Sequence, residues 1–407
     1  MLITCCVYYL FEMKITQTIK FTSTLLTIWL GGSLLAGAAD APASKASAKT
    51  PVPSAAELRA AIDRGADFLL KSQNPSGWWS TPEQPAVTAL VLTALNLEPS
   101  GRFQHNRSSE LNHAYDYILS SAKPDGSIQR SGLANYNTSL SLVALTTSFD
   151  TNFMPVILAA RKYIASSQAD TNQGVFAGGI GYGEKYIHSD MNNTITAIEA
   201  MRISEAVLPK DKPDSPIAEP DVNWSAVATF LQNCQNLPDV NKQDWVSGDP
   251  KDRGGFVYYP GDSKAGGVTN LQTGRVALRS YGSMSYGGLL SYIYAKVDKS
   301  DPRVKAVQNW LRDNYTIEEN PGMSQQGYFY YLHLMTKALT AAGVDKLKMA
   351  DGREVDWRAD VASRLLQLQK PNGMWMNPDK RWWEADPVLV TSYAVMTLEM
   401  LYQHSHR

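Results

Sequence analysis

The chain has 407 residues, of which 44% are hydrophobic and 19% charged, enough apolar material for a sizeable globular core. A formal net charge of -1, with no clustering of Lys or Arg, excludes a strongly basic nucleic-acid binder.

From Met13 the chain carries Lys14 and Lys20, then an apolar run over about 25–35, then Ala36-Gly37-Ala38, the small-x-small pattern of a signal-peptidase site. This predicts an export signal over residues 1–38 with Met13 as the expected start, hence a periplasmic or extracellular protein without a transmembrane anchor after cleavage. Residues 39–54, rich in Ala, Ser, Pro and Lys, read as a flexible leader, and 55–407 as the folded domain. Cys5 and Cys6 precede the expected cleavage point, so Cys234 has no internal disulfide partner and packing must supply the stability.

The folded part opens with a repeat. Residues 64–79 join an apolar helix end to Gln73, Gly77 and Trp79, and 363–375 repeat the pattern with Gln369, Gly373 and Trp375. Gly is expected to end the helix in the left-handed conformation, Trp to supply a buried plate, and Gln to reach open backbone groups. These residues therefore read as scaffold. After each such joint comes a helix with a fixed beat: Thr88 to Ala94-Leu95, Thr138 to Ala144-Leu145, Thr194 to Ala200-Met201, Thr391 to Thr397-Leu398. Six units can be counted, with Ala226 and Val304 opening the helices of the two whose excursions are longest.

Second helices such as TALVLTALNL are apolar on nearly all sides and must be walled in by the more polar first helices. The expected fold is all-α, an α/α toroid of about six helical hairpins with inner and outer rings, closed on itself so that no apolar end is left open. Residues 208–223, with four prolines, and the Gly- and Tyr-rich 254–267 read as excursions; the latter lacks the Lys spacing of a phosphate cradle.

Arg64-Gly65, Phe68-Leu69-Leu70, Gln73, Gly77 and Trp79 resemble the QW repeat of squalene and oxidosqualene cyclases, which share a toroid with protein prenyltransferase β subunits. The resemblance spans about residues 55–402 and leaves room for a single toroid; it extends to exported bacterial proteins of the prenyltransferase and squalene oxidase repeat type. It implies a central cavity for an apolar, isoprenoid-like ligand. The cyclase Asp-x-Asp-Asp-Thr motif corresponds to Asp190-Met191-Asn192-Asn193-Thr194, where Asn192 stands in place of the middle Asp, the proton donor. The zinc ligands of prenyltransferases have no counterpart, since Cys234 lacks a His at ligand spacing and His333 reads as a core residue. No metal or other cofactor is expected.

Polar residues at the starts of the inner helices should face one end of the barrel. Asp190, Glu384 and Asp386 are the candidate catalytic carboxylates, and Asn192, Asn193, Tyr281, Tyr286, Tyr328, Tyr331, Trp382 and Trp383 the candidate ligand-binding residues. Two Trp rings beside two carboxylates suit a cation, a sugar face or a polyisoprenoid. Helix capping accounts equally for Asn137, Asp190, Asn193 and Asp386, and space filling for the tyrosines. The partner is then an apolar small molecule or an envelope component. Three functions stay open: a toroid that binds, and in one version transforms, an isoprenoid-like ligand; a non-catalytic envelope scaffold; and a glycan-active enzyme on a six-hairpin toroid.

Overall fold

The computed structural model describes residues 52–105, 107–183, 188–208 and 221–404. The expected export signal lies outside them. Among the described residues no helix is long and apolar enough to cross a membrane.

Twelve helices alternate between an outer and an inner ring. The outer ones are α1 (Ala55–Lys71), α3 (Ser109–Ser120), α5 (Met154–Ser166), α7 (Trp224–Cys234), α9 (Pro302–Asp313) and α11 (Trp357–Leu368); the inner ones are α2 (Pro85–Leu97), α4 (Ala134–Thr147), α6 (Met191–Ser204), α8 (Gly282–Tyr294), α10 (Tyr328–Ala341) and α12 (Pro387–His404). Each inner helix packs on the next, and α12 returns to both α1 and α2, which closes the toroid. Two short hairpins decorate the loops, β1 (Gly267–Thr269) with β2 (Val276–Leu278) and β3 (Leu347–Lys348) with β4 (Glu354–Val355).

The two rings follow from the sequence pattern. In α1 the buried residues Leu58, Ala61, Ile62, Gly65, Ala66 and Leu69 recur at helical spacing, and a Ser54–Glu57 capping box starts the helix. In α2 all thirteen residues are buried, as an inner helix walled on every side requires.

The Gln–Gly–Trp joint is the device that spaces the hairpins. Gly77, Gly126, Gly178, Gly254 and Gly373 all have φ between 84° and 97°, and a Cβ on any of them would strike a backbone carbonyl of the next outer helix, at His113, Ala159, Ala226, Ala306 and Arg64 respectively. The glycine thus does not end the outer helix as expected; α1 finishes at Ser72 in right-handed geometry, and Gly77 serves close approach several residues later. Gln73, Gln168, Gln235 and Gln369 donate through Nε2 both to the carbonyl of their own joint glycine and to a carbonyl in the early turns or the cap of the next outer helix, at Glu110, Asn223, Arg303 and Ala61. The recurrent hydroxyl of the inner helix receives the backbone N–H of the joint: Thr88 from Trp79, Thr138 from Ile128, Thr194 from Ile180, Ser285 from Phe256 and Thr391 from Trp375, at 2.8–3.1 Å. Gly373 against α1 is the joint that seals the ring. The fifth unit departs from the rule. There Asn320 binds Ser283 N–H (2.9 Å) and the Gln326 carbonyl (3.0 Å).

Candidate functional site

The N-terminal ends of the inner helices surround a cavity of about 500 Å³. Its walls come from α2 (Val87, Leu90), α4 (Tyr136), α6 (Asn192), α8 (Met284), α10 (Tyr330) and α12 (Leu389, Tyr393). Its mouth is built by the joints, which bring Tyr182, His188, Tyr258, Tyr259, Lys264, Gln326, Trp382 and Trp383. Among the described lining residues there is no Asp or Glu. The cation Lys264 pairs with Asp262 at 2.5 Å and lies 4.5 Å over the Tyr258 ring, so its charge is already partly spent. His188 stacks on Tyr259 with ring centroids 4.4 Å apart. Trp382 and Trp383, 42% and 54% exposed, are held consecutively at φ 61° and 65°, a left-handed conformation that is disfavoured for bulky residues.

Of the residues expected to bind a ligand, Asn192, Tyr281, Trp382 and Trp383 line this cavity. Asn193, Tyr286, Tyr328 and Tyr331 are not among its lining residues. The Tyr328 hydroxyl donates to the Ile317 carbonyl and accepts from Arg364, and the Tyr331 hydroxyl donates to the Thr316 carbonyl at 2.7 Å. Tyr286 is buried with its ring 5.7 Å from that of Tyr331.

The candidate carboxylates sit behind the wall, where they serve helix N-termini. Inner-helix N–H groups open into a crowded rim and need acceptors, and most are met from the following unit: Ala86 by Asn137, Asn135 by the Tyr182 carbonyl, Met191 by the Tyr258 carbonyl, Ser283 by Asn320. Glu384 does the same for α10, accepting from Phe329 N–H at 3.2 Å and Tyr330 N–H at 2.8 Å, with Asn377 Nδ2 at 2.7 Å. Burial raises its pKa, and these hydrogen bonds oppose the rise. Asp386 accepts from Val388 N–H at 2.9 Å at the start of α12. Asp190, fully buried, caps α6 through Asn193 N–H (2.9 Å) and takes Asn193 Nδ2 at 2.8 Å. Burial pushes its carboxyl up to about 6, against hydrogen bonds from Asn193 and Tyr258 and the charge of His188. The three carboxylates do not converge on the cavity surface.

Asn192 stands where the resemblance places a proton donor, and its Oδ1 accepts from the Tyr330 hydroxyl at 2.8 Å. Its amide positions a phenol and has no proton to give up. Among the described residues no group of three His, Cys, Asp or Glu is placed to hold a metal ion. Cys234 and His333 are both buried, the latter with Nδ1 3.1 Å from Thr397 Oγ1.

Much of the lining escaped notice in the sequence. Tyr182 and Tyr258 each lie two residues past the joint residue that bonds the inner-helix hydroxyl, Ile180 and Phe256. An extended segment alternates its side chains, so with the joint residue buried in the core, this spacing was the available signal. Lys264 and His188 sit on excursions that carry no such marker.

No protein-family model and no curated protein sequence matches the chain. Solved structures do. A variant of the type II terpene cyclase MstE from Scytonema, in complex with geranylgeranyl dihydroxybenzoate (substrate), superposes with a TM-score of 0.52 at 14% identity over 86% of this chain and 98% of that one. A family 76 glycoside hydrolase from a bovine Bacteroides thetaiotaomicron strain gives a TM-score of 0.51 at 12% identity, over 84% of this chain and 77% of its own. At such identities the likeness speaks for architecture alone, and the chain is an α/α toroid of the kind seen in both a terpene cyclase and a glycoside hydrolase.

Proposed function

We propose that this toroid is an exported binding protein for a ligand with an isoprenoid-like apolar body, held in the cavity at the N-terminal ends of the inner helices. The observation that carries the reading is a cavity of about 500 Å³ walled by tyrosine faces and aliphatic side chains, with no carboxylate among its described lining residues. Such a chamber suits burial of hydrocarbon, each CH₂ contributing about 0.8 kcal/mol. The polar end of the ligand faces the mouth, where Lys264, His188 and Gln326 offer hydrogen-bonding groups. That the fold-sharing MstE takes a geranylgeranyl substrate supports the choice of ligand class.

Protonation of the ligand by the cyclase motif is not part of the reading, because Asn192 occupies the donor position. Glycoside hydrolysis needs two carboxylates flanking one bond, and Asp190, Glu384 and Asp386 are instead engaged at helix N-termini.

Titration of the purified protein with geranylgeraniol, followed by tryptophan fluorescence and calorimetry, tests the proposal. Saturable binding is expected, and Ala86→Trp, which fills the cavity wall, should weaken it at least ~10-fold. Absence of saturable binding, or equal affinity in the filled variant, overturns it. Export is tested separately by N-terminal sequencing of protein recovered outside the cytoplasm, with a start at Ala39 expected.

A further inference from the structure

A second, smaller chamber of about 60 Å³ lies deeper in the inner ring, lined by Leu140, Ile195, Leu334 and Met396 together with the Glu199–Lys337 ion pair. Leu90, Tyr136, Tyr330 and Tyr393 line both chambers. Two spaces that share these side chains are separated by them.

The three phenols form the aromatic part of a septum. Tyr330 donates to Asn192 Oδ1 at 2.8 Å, and its ring lies 5.6 Å from that of Tyr393 at 46°. A tyrosine fixed at its tip and packed on its faces is a stiff plate. The aliphatic side chains beyond it form surface that an apolar chain entering from the mouth would bury if the plate were absent.

Resting on the binding reading above, we infer that the Tyr136–Tyr330–Tyr393 septum sets the length of apolar chain the protein accepts, and that the lower chamber is the latent extension of the site. Asn192 then has a definite role: its amide anchors the central plate of the septum. The end of the extension is marked by the Glu199–Lys337 pair, each partner only 15% exposed, which an apolar chain end cannot displace without stranding two charges.

The test measures the affinities of geraniol, farnesol and geranylgeraniol for the parent protein and for Tyr330→Ala, with circular dichroism to establish folding. In the parent, affinity should rise with chain length and then stop rising. Burying each further CH₂ is worth about fourfold in affinity, so Tyr330→Ala should tighten the first chain beyond the parent's limit at least ~10-fold. Tyr330→Phe, which keeps the ring but loses its bond to Asn192, should relax the limit by less than Tyr330→Ala does. Adding Leu140→Trp to Tyr330→Ala refills the lower chamber and should return the limit to that of the parent. If Tyr330→Ala fails to fold, Tyr393→Ala takes its place. An unchanged length limit in the folded Ala variant, or a gain that Leu140→Trp does not cancel, overturns the septum. Failure of all three alcohols to bind the parent protein would instead overturn the binding reading itself.

Discussion

The first and fourth joints begin alike and end differently. Each has a Gln bonding forward to the next outer helix, a glycine against that helix's backbone, and a joint N–H donated to an inner-helix hydroxyl. After Trp79 the chain enters α2 within six residues, whereas after Phe256 it makes an excursion through the β1–β2 hairpin before α8 begins at Gly282. The short joint adds only Gln84 to the cavity lining, while the long one adds Tyr258, Tyr259, Lys264 and Tyr281. Architecture is therefore carried by the shared first half of each joint, and the character of the cavity by whatever length follows it. A surface loop tolerates such length because loop-closure entropy grows only slowly.

This contrast can be broken most severely at the shared half. Gly373→Val places a side chain against the Arg64 carbonyl at φ 92°, at the joint that closes the ring. Overpacking against backbone together with a left-handed valine should remove about 4 kcal/mol or more, read as a collapse of the denaturation midpoint. A variant within about 1 kcal/mol of the parent would mean that the glycine approach does not hold the seam.

The second perturbation acts where architecture and cavity meet. Burial holds the Asp190 carboxyl up to about 6 against an ordinary 3.8, so the folded state keeps its proton over a range where the unfolded chain has lost it. Its contribution to stability is full below about pH 4 and is lost as pH rises through about 6. Asp190→Asn can retain the cap, and the buried Asn193 Oδ1, which has no hydrogen-bond partner, can accept from the new amide after rotation. From pH 4 to pH 7 the stability difference should move by about 2 kcal/mol in favour of the variant. A pH-independent difference would show that Asp190 does not carry this proton.

The mildest change belongs to the variable half. Trp382→Gly relieves a left-handed tryptophan at the mouth, 42% exposed, and should alter stability by no more than about 1 kcal/mol. Affinity for geranylgeraniol should nevertheless fall several-fold, as measured by calorimetry. A parent-like affinity would remove Trp382 from the site.

The repeat was readable because it is local. Gln73, Gly77, Trp79 and Thr88 recur at fixed spacing, and an inner helix apolar all round admits few surroundings other than a second ring. The exact work of the glycine was not readable, since Gly77 at φ 93° could equally have terminated a helix; its contact is with His113, 36 residues further on. The same limit applied to the site. Tyr281, Trp382 and Trp383 were visible as aromatics beside inner-helix starts, but so were Tyr286, Tyr328 and Tyr331, which lie away from the cavity. One helical residue is a rotation of about 100°, and only the packing of neighbouring helices decides which of two adjacent tyrosines, Tyr330 or Tyr331, meets the barrel axis.

What the sequence by itself determined is the toroid and the ring closure, because these depend on residue type and periodicity. The tertiary structure alone decided that Glu384 caps α10 across 54 residues of chain, that Asn192 holds Tyr330, and that three tyrosines from α4, α10 and α12 stand together between two chambers. Those are meetings between distant segments, and their energetics depend on distances that spacing along the chain does not encode.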